Sequence, residues 1–231
     1  MGKRILALLV AVLSGLAATD ARAEWFADLY AGAAYTVRSD VTLIVRPPGL
    51  DFDHTFQDVK WDPSPVFGAR LGYWFDALPW YGVGFDVFRF NADIPMQTVD
   101  STIVGIGPTP ATLQKIDVAA TAVGFDVVRL RYRGERWEPY ATAGPALFRV
   151  RARNVDNGEL TTDPATDHAW GYKLGAGLEW KIARDVAVFG EYRFTHVAAE
   201  PTLQGTITGT SVPARFDLDT HHVVAGVSLR F

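Results

Sequence analysis

The chain has 231 residues, no cysteine and a formal net charge of −4. That length suits one domain, and nothing in the acidic balance suggests nucleic acid, which wants a basic face. No disulfide can staple the chain, while 21 Gly, 14 Phe, 8 Tyr and 7 Trp favour strands over helices.

At the N-terminus, Lys3 and Arg4 precede a mostly apolar stretch from Ile5 to Leu16, and Ala21-Arg22-Ala23 supplies a small-x-small cleavage site. The stretch is too short, and too soon followed by Asp20 and Arg22, to cross a bilayer as a helix. Residues 1–23 are predicted to be a signal peptide removed on export, leaving residues 24–231 as one domain. That domain carries 19 basic and 25 acidic residues, a net charge of −6. No later run approaches the ~20 apolar residues of a spanning helix. If the exported chain crosses a membrane, it must do so with strands closed into a barrel, because lipid offers backbone groups no partners.

Eight period-two segments follow, at roughly 25–38, 65–76, 80–92, 115–133, 138–153, 168–182, 186–198 and 216–231. The first sets Ala27, Leu29, Ala31, Ala33 and Tyr35 against Asp28, Tyr30, Gly32, Ala34 and Thr36. The second sets Phe67, Ala69, Leu71, Tyr73 and Phe75 against Gly68, Arg70 and Gly72. In the third and fourth, the shared word VGFDV (83–87 and 123–127) is followed by a one-residue slip of apolar parity, which predicts a β-bulge in each. The sixth places Trp170, Tyr172, Leu174, Ala176, Leu178, Trp180 and Ile182 on one face, and Gly171, Lys173, Gly175, Gly177, Glu179 and Lys181 on the other. The seventh sets Val186, Val188, Gly190, Tyr192 and Phe194 against Glu191, Arg193 and Thr195. The last alternates strictly from His221 to a terminal aromatic, Phe231.

Three connections are short (76–79, 134–137 and 183–185), and they alternate with long ones at about 39–64, 93–114, 154–167 and 199–215. Antiparallel strands joined in this way carry all the short turns at one end, the layout of an outer-membrane barrel. Apolar residues face outward in a membrane barrel and inward in a soluble ligand carrier. Trp170 and Trp180 decide for the membrane: ten residues span ~34 Å of strand, or ~26 Å at a tilt of ~40°, close to the ~25 Å band between aromatic girdles. The girdle is assigned to Trp25, Tyr35, Trp74, Trp80, Trp170 and Trp180.

The inward face then holds Asp28, Arg70, Asp86, Arg129, Arg131, Arg149, Arg151, Lys173, Glu179, Glu191, Arg193, His222 and Arg230. Eight strands leave an interior just wide enough for side chains, so these charges must pair or be very costly. A plug of salt bridges is the expectation, ahead of a narrow or gated path. Catalysis finds little support. Lipid A deacylases carry His and Ser two residues apart, and no His-x-Ser occurs here. Ser228 and His222 share a face but lie ~20 Å apart along their strand. His221 and His222 point to opposite faces and cannot easily share a metal. The acidic stretch Asp51, Asp53, Asp58 and Asp62 lacks the spacing of a calcium loop. No catalytic residue, metal or cofactor is expected.

The first two long connections are unusually apolar: VTLIV at 41–45 before Pro47-Pro48, and Ile94, Met96, Val99, Ile103, Val104 and Ile106 among Pro95, Pro108 and Pro110. Strands that run on above the membrane and pack together would explain them. A sticky outer surface or an apolar funnel into the barrel is the alternative.

Together the signal peptide, the eight strands, PYATAGPALF (139–148), GAGLEW (175–180), GEYRFTHV (190–197) and the Phe231 ending resemble the small outer-membrane β-barrels, including opacity-type surface antigens and OmpA-like transmembrane domains. The resemblance implies an all-β, eight-stranded, antiparallel up-and-down barrel in the bacterial outer membrane. It implies a structural or surface-contact role through four extracellular loops, with no catalytic residue to carry over. Val227, Leu229 and Phe231 would be the signal read by the barrel-insertion machinery. Outer-membrane lipid, lipopolysaccharide and a host or envelope surface are the implied partners; nucleic acid is not. No peptidoglycan-binding domain is expected after Phe231. The alternatives are a narrow OmpW-like channel for small hydrophobic solutes, a lipid A-modifying enzyme and, furthest out, a soluble periplasmic barrel.

Overall fold

Every alternating segment becomes a strand, and the strands share one antiparallel sheet that closes on itself. The computed structural model describes residues 24–45, 52–103, 107–154, 164–204 and 211–231; the predicted signal peptide, Pro47-Pro48, Asp51, Val104 and Ile106 lie outside them. Its strands are β1 (Glu24–Thr36), β2 (Ser39–Val45), β3 (Phe52–Val59), β4 (Ser64–Trp74), β5 (Tyr81–Asn91), β6 (Gln97–Ile103) and β7 (Gly107–Leu113). They continue as β8 (Ile116–Arg131), β9 (Trp137–Asn154), β10 (Ala165–Lys181), β11 (Val186–Ala199), β12 (Thr202–Gln204) and β13 (Ser211–Arg230).

Eight of them form the wall in the order β1-β4-β5-β8-β9-β10-β11-β13, and β13 returns to β1 from Phe26↔Arg230 to Thr36↔Thr220. At the closing seam Trp25 donates to the Phe231 carbonyl at 2.9 Å, and Phe231 donates back at 3.0 Å. The three short turns and this seam share one end. At the other end the wall outgrows any membrane. There β2 pairs with β13 (Val41↔Phe216 to Leu43↔Ala214), and the sheet continues through β3 and β6 to β7. The first two long connections are therefore a four-stranded crown joined to the wall. Apolar burial explains it, since Val41, Phe56, Val59, Ile94 and Leu113 pack into the same core as Trp61, Phe90 and Phe216.

Along the wall, chemistry changes on both faces at one height. On β9 the outward residues Pro139, Ala141, Ala143, Pro145 and Leu147 give way to Arg149, Arg151 and Arg153, while the inward ones become Phe148, Val150 and Ala152. Below this level the outside suits hydrocarbon and the inside is polar. Above it, water lies outside and the interior is an apolar core, as in any soluble sheet structure. This corrects the lumen assignment of Arg149 and Arg151: both are exposed on the outer wall. Parity had not slipped; the solvent had changed.

The same inversion corrects the bulge expected in β5, where Phe85, Val87 and Arg89 face out and Asp86, Phe88 and Phe90 face in without interruption. The pairing of β5 with β4 is continuous. The extra residue belongs to β8 alone. Its register shifts against both neighbours, and Val127 and Val128 point outward in succession. Asp126 on one side of the bulge and Arg129 on the other thereby both reach the lumen.

Candidate functional site: a paired lumen

Six wall strands deliver charged side chains to the middle of the barrel, because every second residue of each must point inward. Arg70 from β4 sits among four carboxylates. It meets Asp28 at 3.2 Å, Asp126 at 3.4 Å, Asp86 at 3.6 Å and Glu191 at 2.9 Å through one guanidinium nitrogen bonded to both carboxylate oxygens. Lys173 lies 2.7 Å from Asp86 and 2.8 Å from Asp126. Arg193 reaches Glu191 at 2.6 Å and Asp86 at 3.3 Å, and donates to the Tyr30 hydroxyl at 2.9 Å. Two phenols complete this tier: Tyr30 donates to Asp86 at 2.5 Å, and Tyr140 to Glu191 at 2.8 Å.

A second tier lies towards the short turns. Arg129 stands between Phe26 and Tyr140, 4.4 and 4.6 Å from their ring centres, and meets Glu179 at 3.3 Å. Arg131 pairs with Glu24 at 2.6 Å, and Arg230 bridges Glu24 (2.8 Å), Glu138 (2.5 Å) and Glu179. Lys181 reaches Glu138 at 2.6 Å. Below this tier a recess of ≈ 700 Å³, lined by Trp74, Asp76, Arg131, Arg184 and Arg230, opens at the turn end.

The lumen charges balance. Glu24, Asp28, Asp86, Asp126, Glu138, Glu179 and Glu191 are each within 4.0 Å of a cation from the set Arg70, Arg129, Arg131, Lys173, Lys181, Arg193 and Arg230. Seven charges of each sign neutralise a space where a lone charge would be very costly. Above them, His222 accepts or donates to Thr195 at 3.0 Å and lies edge-on to Phe88 and Phe90, where the polar lumen meets the apolar core. Outside the membrane span, burial raises the Asp93 carboxyl above its ordinary range, and it accepts the Val118 N–H at 2.8 Å.

Of the residues assigned inward from the sequence, Asp28, Arg70, Asp86, Arg129, Lys173, Glu179, Glu191 and Arg193 meet in this network. Arg230 joins it from the closing strand, His222 caps it, and Arg149 stands outside. Glu24, Asp126, Glu138 and Tyr140 belong to it without having been assigned, as do Tyr30 and Lys181, which the alternation had placed on the inward face only. Asp126 repeats the position of Asp86 in VGFDV, and Glu138 shares parity with Tyr140, so both were readable once the alternation was extended. Of the girdle residues, Trp25, Tyr35, Trp80, Trp170 and Trp180 face outward. Trp74 does not. It is 2% exposed, inside the barrel, with the Arg131 guanidinium 4.1 Å from its ring. It shares parity with Arg70 and Gly72, so its indole had to turn inward. Tyr73 and Trp137 take the outer positions, packed on Trp25 at 5.0 Å and Trp180 at 5.3 Å. Val227 and Leu229 face outward, and Phe231 is half-buried at the seam. His221 lies on the outer face with its ring 2.6 Å from the Tyr192 hydroxyl. Among the described residues no group of three or more His, Asp or Glu could hold a metal ion.

Residues 7–231 match the family described as outer membrane protein beta-barrel domain. No curated protein matches the sequence. Among solved structures, the outer membrane protein OprG of Pseudomonas aeruginosa is similar at 13% identity, covering 90% of this chain and 95% of that one, with a TM-score of 0.58. The outer membrane protease OmpT of Escherichia coli shares 11% identity over 90% of this chain and 97% of its own, with a TM-score of 0.48. Neisserial surface protein A shares 13% over 90% and 97%, with a TM-score of 0.43. At these identities the OprG likeness shows the fold alone.

Proposed function

The chain belongs to the outer membrane protein β-barrel family, and on that premise we propose that it is a non-catalytic surface protein whose barrel is shut and whose crown makes contacts outside the cell. The observation that carries this reading is the crown. Apolar residues of the first two long connections are spent on packing β2, β3, β6 and β7 against the wall rather than on lining an open funnel. The paired lumen beneath supports it, because an ion or solute would have to break several buried pairs to pass. Each lumen carboxylate is held by a cation, so none is left free as a base.

Two measurements test the reading. Cells displaying the protein should adhere to host or neighbouring-cell surfaces more than cells carrying a variant in which residues 42–57 are replaced by a short Gly/Ser linker, at equal amounts of folded barrel. Equal adhesion would sink the contact role. The purified barrel should add no conductance to a planar bilayer and no uptake of small hydrophobic solutes to liposomes; robust uptake would favour the OmpW-like conduit instead.

A further inference from the structure

Immediately above the apolar band, the outer wall carries a row of polar residues with an arginine on each side of β8. The pairing registers set Arg89 on β5 opposite Thr121 on β8, Thr121 opposite Arg149 on β9, and Arg149 opposite His168 on β10. All point outward. Arg151 stands one step higher on β9, about 7 Å along the strand. Arg89 and Arg149 are two strands apart, about 10 Å, with the Thr121 hydroxyl between them. A phosphate placed over Thr121 would be within reach of both guanidinium groups.

Asp93 and Asp117 share a recess with Arg89, Arg151 and Arg153, above the Arg89–Thr121–Arg149 row, and each has its own partner. Asp117 is held by Arg153 at 3.2 Å and Lys115 at 3.5 Å, and Asp93 takes the Val118 N–H. Among the described residues, Arg89, Arg149 and Arg151 have no carboxylate partner. The opposite side of the rim has the other sign: Asp217 and Asp219 face outward on β13, and Asp219 meets His196 at 2.6 Å. The charge is therefore polarised around the barrel at this height. Directly below the arginines, on the same strands, lie Val87, Val123 and Leu147, then Phe85 and Phe125 with ring centres 5.4 Å apart. A flat apolar panel below and a phosphate-sized gap between arginines above is the outline of one molecule with acyl chains and a phosphorylated head.

We infer that the β5–β8–β9 wall is a binding site for a phosphorylated glycolipid of the outer leaflet, with Arg89, Thr121 and Arg149 holding its phosphate and Phe85, Phe125 and Leu147 its acyl chains. The site rests on the outer-membrane location only and stands whether or not the crown has a partner. Two guanidinium groups on one phosphate are charge-assisted bonds in a partly dehydrated headgroup layer, each worth more than in bulk water.

The test uses the whole protein in neutral detergent, with diphosphorylated lipid A as the probe and bound lipid read by native mass spectrometry. Wild type should retain lipid A, and the double variant R89A/R149A should bind at least about tenfold more weakly. R136A, at the turn end, should bind as wild type does. A heat-dependent gel shift confirms that each variant is folded. Dephosphorylated lipid A should bind like the double variant, and millimolar inorganic phosphate should not displace the lipid. Equal binding of the two lipids, or undiminished binding by R89A/R149A, overturns the site. Displacement by inorganic phosphate overturns the lipid assignment, since a free anion would then suffice.

Discussion

At Arg70 and at Arg38 the chain makes ion pairs of nearly equal length, 2.9 Å to Glu191 and 2.7 Å to Asp58, in opposite surroundings. The Arg38 and Asp58 side chains are 57% and 70% exposed, whereas Arg70 and its four carboxylates are fully enclosed. Arg38→Ala should therefore cost well under about 1 kcal/mol, because water replaces the lost partner. Arg70→Ala leaves buried carboxylates short of a cation and should cost about 3–5 kcal/mol. Urea unfolding of the barrel refolded in lipid vesicles, followed by tryptophan fluorescence, measures both; similar losses would mean that the lumen is wetter than its packing implies. Lumen glycines act at this scale too. A Cβ on Gly177 would lie 2.4–2.7 Å from the Tyr140 ring, so Gly177→Ala must push that phenol from Glu191. The expected cost is about 1–3 kcal/mol in the same assay.

Among the strands, β8 carries the feature on which the lumen depends. Its bulge lets Val127 and Val128 both face lipid while Asp126 and Arg129 both face inward. A plain ladder through both valines would turn either the segment before them or the segment after them to the wrong face. In the second case Arg129 and Arg131 would point into hydrocarbon, at about 2–4 kcal/mol each near the midplane. Deleting Val128 leaves Asp126 in, Val127 out and Arg129 in and closes the one-residue register shift, so the deletion variant should keep the heat-dependent gel shift. Loss of the shift in the deletion variant would show that the bulge itself, beyond the faces it preserves, is required. The bulge was legible in β8 because two valines stand together there. The same reading failed in β5, where an inward change from Asp86 to Phe88 imitates a slip of register.

In the whole molecule, two structures meet: a lipid-facing barrel and a water-facing crown with a shared apolar core. The crown is tied to the wall by the pairing of β2 with β13 and by Trp61 against Phe216, with ring centres 5.5 Å apart. Phe216→Ala removes a buried ring from that junction and should loosen the crown while sparing the barrel. Hydrogen exchange should rise in β2 and β3 by the equivalent of about 3 kcal/mol and stay unchanged in the membrane part of β10. Exchange rising everywhere would make barrel and crown one cooperative unit. At the crown's far edge, β7 carries Pro108 and Pro110, which offer no N–H to another strand.

Alternation, connection lengths and the spacing of Trp170 and Trp180 determined the eight strands, their order and the outward direction of the apolar face. Those features repeat along a single strand and need no knowledge of its neighbours. Which charges pair and where Arg149 and Arg151 stand were decided only by tertiary structure, whereas the inward turn of Trp74 was already implied by its parity with Arg70. Alternation separates two faces of a strand but does not say how high a residue lies. Outside this barrel the surroundings pass from hydrocarbon to water, and inside they pass from paired charge to apolar core. The same inward or outward position therefore calls for opposite chemistry at its two ends.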